Sequence, residues 1–190
     1  MHQALQQLEE LQLTNEQMRM ESQGLSARDN ASGLYNREHF EDQLRREVDL
    51  SVREHREFAL VAIEIDAPTL GNVVPRARVV DALGRLLRSN TRAMDASCRD
   101  DESRFAVLLS GVGLATAHSR MEGLRRQCAT QIVAHDGRDF GFTVSMGVAS
   151  FPHTAQSQDG LNAACEAALA DARGRGGNRV TLASIRFDAA

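Results

Sequence analysis

A chain of 190 residues, 42% hydrophobic and 25% charged, has room for one ordinary domain plus an appendage, or for two very small domains. It contains no apolar run long enough to span a membrane, and its start, MHQALQQLEELQ, lacks the basic and apolar stretches of a secretory signal, so a cytoplasmic protein is expected. A net charge of −4 argues against general nucleic-acid binding.

Residues 1–28 read as a solvated helical stalk. Ala4, Leu11, Met18 and Leu25 form one row of a heptad seam, and Leu8, Asn15 and Ser22 form the other, with polar breaks. The seam fits a parallel two-stranded coiled coil, hence a homodimer. A surface helix packed on its own domain is the alternative. Gly24 to Gly33 is loop-like. A helix then opens at Asn36, with Phe40, Leu44, Val48 and Val52 at helical spacing. Phe58 to Ile65 is a short apolar run that predicts a buried strand, and Pro68 and Gly71 break it.

Val79, Val80, Leu83, Leu86 and Leu87 line a second helix. Ser97–Arg99 and Phe105–Leu109 predict two strands joined by a polar turn. A third helix is expected from about Ala115 to Val133. A strand follows at Phe142–Ala149, with Val144, Met146 and Val148 alternating. A fourth helix covers Leu161 to about Arg173, Gly174 to Gly177 stop it, and Arg179–Leu182 is a closing strand. Strands and helices interleave around one embedded hairpin. That pattern predicts an α+β or α/β domain with a single central sheet.

Several stretches resemble the GGDEF domain, the diguanylate cyclase family. Asp29-Asn-Ala-Ser-Gly-Leu-Tyr-Asn-Arg37 resembles D-x-L-T-G-L-x-N-R. Glu64-Ile-Asp66 resembles the D-x-D that ends the first strand. Arg99 followed by Asp101-Glu-Ser-Arg-Phe105 sits where R-x-G-G-D-E-F belongs. Thr143-Val-Ser-Met-Gly-Val-Ala149 matches T-x-S-x-G-V-A, and Ala172-Arg173 with Gly176-Gly-Asn178 resembles A-K-x-x-G-R-N. The resemblance implies an α+β fold with a central mixed sheet of about five strands flanked by helices and preceded by a coiled-coil helix. It divides the chain into a stalk (1–28), a degenerate GGDEF domain (29–183) and a short tail (184–190).

The departures carry an expectation of their own. Asp101 and Glu102 stand where the family has two glycines, whose missing Cβ lets the backbone approach phosphates. Ser103 replaces a metal carboxylate, and Arg104 an acid near the guanine. Glu64 replaces the other metal aspartate, which leaves Glu64 and Asp66 as weak cation candidates. Beyond Asp66, a gapless alignment places Asn72 and Asp81 on the guanine-binding positions. An alignment on the following helix deletes about four residues and removes both, and is preferred. Thr69 stands where a phosphate lysine belongs. On this reading the chain is not an enzyme, has no cofactor and needs no Mg2+.

The inhibitory-site pattern of the family survives. Arg92-Ala-Met-Asp95 lies five residues before Asp101, the family spacing. An arginine fork can pair with guanine O6 and N7, and a carboxylate can accept from the opposite edge. Arg53 sits where the family often supplies a further arginine. The expected function is that of a catalytically inactive cyclic di-GMP receptor acting through Arg92, Asp95 and Arg53, coupled to an upstream sensory module or partner protein. The alternatives are a nucleotide-independent interaction module using the acidic tip at Asp100–Glu102, and a GTP-binding domain without turnover. The lone pair Arg92–Asp95 could also be a plain surface ion pair.

All 22 basic residues are arginine, which permits bidentate recognition without demonstrating it. The scattered histidines have no metal spacing. Cys98, Cys128 and Cys165 read as small apolar residues.

Overall fold

The computed structural model describes residues 2–26, 28–29, 32–67 and 76–186. Helix α1 spans His2–Ser26, so it continues through the region expected to be a loop from Gly24. Leu5, Leu8, Leu11 and Met18 are all more than half exposed. For these side chains, packing against the chain's own domain is therefore excluded. The side chains of Ser22 and Leu25, also assigned to the seam, lie outside the described residues.

Helix α2 (Arg37–Glu54) starts where the sequence places it. The Asn36 side chain accepts a hydrogen bond from the His39 amide at 2.9 Å, satisfying one of the orphan donors of the first turn. Strand β1 (Phe58–Ile65) leads to α3 (Arg76–Asn90) through a segment, residues 68–75, outside the described residues. The readings of Pro68, Thr69, Gly71 and Asn72 fall there. Strands β2 (Ala96–Arg99) and β3 (Arg104–Ser110) form the expected hairpin.

Helix α4 runs from Leu114 to Thr130, three residues short of the expected end at Val133. Val133 belongs instead to a small hairpin that the sequence reading missed, β4 (Val133–His135) and β5 (Arg138–Phe140). Its turn, Asp136-Gly137, has positive φ at both residues, 49° and 72°. That is the geometry an Asp-Gly two-residue hairpin requires. Strand β6 (Val144–Phe151), helix α5 (Gln158–Gly174) and strand β7 (Val180–Leu182) complete the domain.

The main sheet has five strands in the order β2-β3-β1-β6-β7. Strand β1 is antiparallel to both β3 and β6, while β7 is parallel to β6. The sheet is thus mixed, as expected. Strand β1 feeds both faces. Ala59, Val61 and Ile63 pack toward the cluster containing Val80, Leu83 and Met121 from α3 and α4. Phe58, Leu60 and Ala62 pack toward the cluster containing Phe40, Leu44 and Leu161 from α2 and α5. Burial on both sides is why β1 reads as a continuous apolar run rather than an alternation. Gly147 sets the closeness of one layer: a Cβ there would lie 2.4 Å from the Cys165 carbonyl oxygen and the Leu169 amide nitrogen of α5. A side chain at this position would push α5 off the sheet.

Candidate functional site

Two places bear on function, the β2–β3 turn with the adjacent end of β1, and the turn that precedes β2. At the first, the antiparallel register of β1 and β3 places Glu64 opposite Arg104. The Arg104 guanidinium lies 3.4 Å from the Glu64 carboxylate and 2.8 Å from that of Glu166 on α5. Burial would lower the arginine's pKa, but Glu166 and Glu64 outweigh it and raise it above its ordinary value, so the cation is fixed. Arg173 reaches the same Glu64 oxygen at 3.2 Å. That oxygen is buried, within ion-pair distance of both arginines and in hydrogen-bond geometry with neither.

Asp66 is committed differently. Its carboxylate accepts from Thr143 Oγ1 at 2.7 Å, Ser145 Oγ at 2.5 Å and the Asn178 amide at 2.8 Å. The matched stretches 143–149 and 176–178 therefore meet at one carboxylate. Gly177 helps, because a Cβ there would lie 2.8 Å from Asp66 Oδ1. The family resemblance implies a divalent cation at this place, and the donor set does not fit one. One carboxylate is neutralised by two arginines, the other is filled by three donors, and Ser103 supplies no charge. No cluster of three or more possible metal ligands occurs among the described residues.

The acidic tip is exposed, and arginines pair with two of its carboxylates. Glu102 pairs with Arg76 of α3 at 2.5 Å, and Asp100 lies 3.8 Å from Arg37. Arg99 donates to the carbonyls of Asp101 and Glu102 at 3.2 and 3.3 Å, and lies 3.5 Å from the Asp29 carboxylate. Phe105 is buried in the core and takes no part in the turn's surface. Asp81 forms an exposed ion pair with Arg85, 3.2 Å away on the same helix.

The second place is the turn Arg92–Asp95. The sequence reading offered both side chains to a ligand; the structure separates their roles. Asp95 has no exposed side-chain surface. Its carboxylate accepts from the Arg92 amide at 2.9 Å, the Ser110 amide at 3.1 Å and the Arg120 guanidinium at 2.8 Å. It positions the turn and presents nothing to solvent. The Arg92 side chain is exposed, and its guanidinium has no hydrogen-bond or ion-pair partner among the described residues. The expected surface pair between Arg92 and Asp95 side chains is not formed. Arg53 lies exposed on the last turn of α2 and does not line the concavity beside Arg92.

That concavity has a volume of about 220 Å³ and is lined by Arg28, Tyr35, Arg88, Arg92 and Asp95, among others. Arg88 donates to the Ser32 carbonyl. The Arg28 guanidinium carbon lies 4.7 Å from the centre of the Tyr35 ring, a cation–π distance. Arg28, Tyr35 and Arg88 were not singled out from sequence. Only their nearness to Arg92 in the fold makes them notable.

The three cysteines are buried, and burial pushes each thiol up to about 12. No helix among the described residues is long and apolar enough to cross a membrane.

Comparison with known proteins places this geometry. The family model described as "Diguanylate cyclase, GGDEF domain" matches residues 26–179. The chain is 31% identical over 175 residues to the probable diguanylate cyclase DgcC of Escherichia coli, covering 85% of this chain and 44% of that protein. It is 27% identical over 104 residues to diguanylate cyclase A of Treponema denticola, covering 55% of this chain and 28% of that protein. The chain thus spans less than half the length of these curated relatives. Among solved structures, the coiled coil and GGDEF domain of DgcB from Caulobacter crescentus, in complex with c-di-GMP, superposes with a TM-score of 0.75 at 21% identity, over 95% of each chain. SiaD from Pseudomonas aeruginosa, in complex with its activator SiaC, gives 0.73 at 25% identity, over 96% of this chain and 74% of that one.

These findings correct one expectation. The substituted turn led the sequence reading to a protein that is not an enzyme. The matched family model and relatives are named for diguanylate cyclase activity, and the match runs through the whole domain rather than stopping at the turn. With the mixed five-stranded sheet and the family match in agreement, the chain belongs to the GGDEF family.

Proposed function

We propose that the chain is the GGDEF domain of a cyclic di-GMP signalling protein and that it binds the dinucleotide through Arg92. The observation that carries this reading is an Arg92 guanidinium with no partner among the described residues, on a turn fastened by Asp95. Asp95 spends its carboxylate holding the turn, so Arg92 is presented without an internal competitor. An arginine fork matches guanine O6 and N7 and also suits a phosphodiester. The neighbouring Arg28 and Arg88 give the concavity positive charge, as a dianionic ligand requires. Recognition on this face involves no divalent cation.

The exposed apolar row of α1 supports a second copy as its partner, since Leu8, Leu11 and Met18 are otherwise in water. An upstream module or partner protein would read the change through that helix. The reading is tested by equilibrium binding of cyclic di-GMP to the parent chain and to Arg92→Ala. Saturable binding by the parent and its loss in the variant support it. Equal binding by both removes Arg92 from the account.

A further inference from the structure

We infer that Arg28 is a second ligand-contacting arginine of the concavity beside Arg92, and that it links ligand occupancy to the end of helix α1. The inference rests on the reading that Arg92 binds a cyclic dinucleotide.

Arg28 stands two residues beyond Ser26, the last residue of α1. It is exposed, yet it is held in place before any ligand arrives. Its guanidinium stacks on Tyr35 at 4.7 Å and donates to the Gly33 carbonyl at 3.0 Å. Its backbone forms an antiparallel bridge with Tyr35, and Tyr35 forms a parallel bridge with Cys98 of β2. Tyr35 is anchored further by its amide donating to the Ser97 carbonyl and its carbonyl accepting from the Arg99 amide, both at 3.1 Å. The chain of contacts therefore runs from the stalk's end, through Arg28 and Tyr35, to the strand that follows Arg92.

The chemistry of Arg28 suits the ligand. Stacking uses one face of the guanidinium and a single carbonyl uses one donor, so further N–H groups remain for a phosphate or a guanine edge. Arg28 and Arg92 line the same concavity, so one compact dianion can meet both. A ligand held between them would fix Arg28 against Tyr35, which pairs with β2, two residues beyond the last residue of α1. Arg53, the arginine that sequence position suggested, does not line this space.

The test is calorimetric titration of the full chain with cyclic di-GMP, comparing the parent, Arg28→Ala and Arg28→Lys. Arg28 is exposed, so both variants should melt with the parent. Arg28→Ala should bind about tenfold or more weakly. Arg28→Lys, which keeps the charge and loses the fork, should fall between. A spin label on α1 should report a ligand-dependent change in the parent and none in Arg28→Ala. Unchanged affinity in both variants, beside a parent that binds, overturns the role of Arg28 alone. A parent that fails to bind overturns the underlying reading of Arg92 instead. Should Arg28→Ala melt early, Arg28→Lys decides: affinity equal to the parent's overturns the inference.

Discussion

The Arg120 guanidinium lies 2.8 Å from the Asp95 carboxylate, and the Asp95 side chain has no exposed surface. This pair fastens α4 to the turn that carries Arg92. Two backbone amides, those of Arg92 and Ser110, complete the carboxylate's shell. Removing one partner of a buried pair leaves the other charge uncompensated, which costs more than the pair itself contributes. Arg120→Ala is expected to lower unfolding stability by about 2–4 kcal/mol, the two amide donors softening the full penalty. Urea unfolding measures it. The same variant should weaken cyclic di-GMP binding although Arg120 does not line the concavity.

The cleft at the end of β1 makes a second prediction. Glu64 is held between Arg104 and Arg173, and Asp66 accepts three hydrogen bonds. A divalent ion would have to displace two arginines to reach Glu64. Titration of Mn2+ with the chain, followed by paramagnetic resonance, should leave the free-ion signal unchanged. Stoichiometric uptake that Glu64→Gln abolishes would contradict the arrangement.

Acid sensitivity gives a third. Burial alone would raise the Asp29 carboxyl, but hydrogen bonds from Ser32 and the Arg99 guanidinium outweigh it and hold it below its ordinary value of 3.8. A carboxyl whose folded pKa is depressed contributes stability that is present above its unfolded pKa and is lost as pH falls through the folded one. Stability of the parent should therefore decline as pH drops below about 4. Asp29→Asn should be less stable near neutrality and show a shallower decline over that window. Urea midpoints between neutral and strongly acidic pH check the sign.

How much of this the sequence carried can be argued residue by residue. The strand at Phe58–Ile65 and the capped start of α2 at Asn36 were legible, because their signals are local: an apolar run, and a capping side chain before a helical period. The β4–β5 hairpin was missed although Asp136-Gly137 is its turn. Its strands are only three residues each, too short for a pattern to stand out. The family motifs marked Asp66, yet its partners Thr143, Ser145 and Asn178 come from distant strands and loops. Local spacing offered the Asp95 carboxylate to a ligand beside Arg92, with a surface ion pair as the alternative, whereas Ser110 and Arg120, which enclose that carboxylate in the fold, lie 15 and 25 residues further along the chain. Arg28 carried no signal, since its place beside Arg92 arises only when Tyr35 pairs with β2.

The central claim is that Arg92, set on a turn that Asp95 holds from inside, binds cyclic di-GMP. Calorimetric titration of the purified chain with the dinucleotide, in EDTA, beside Arg92→Ala tests it most directly. The account predicts saturable binding by the parent, and a variant that melts with the parent, within about 0.5 kcal/mol, yet fails to bind. Absence of binding by the parent, or binding that survives Arg92→Ala, would contradict it.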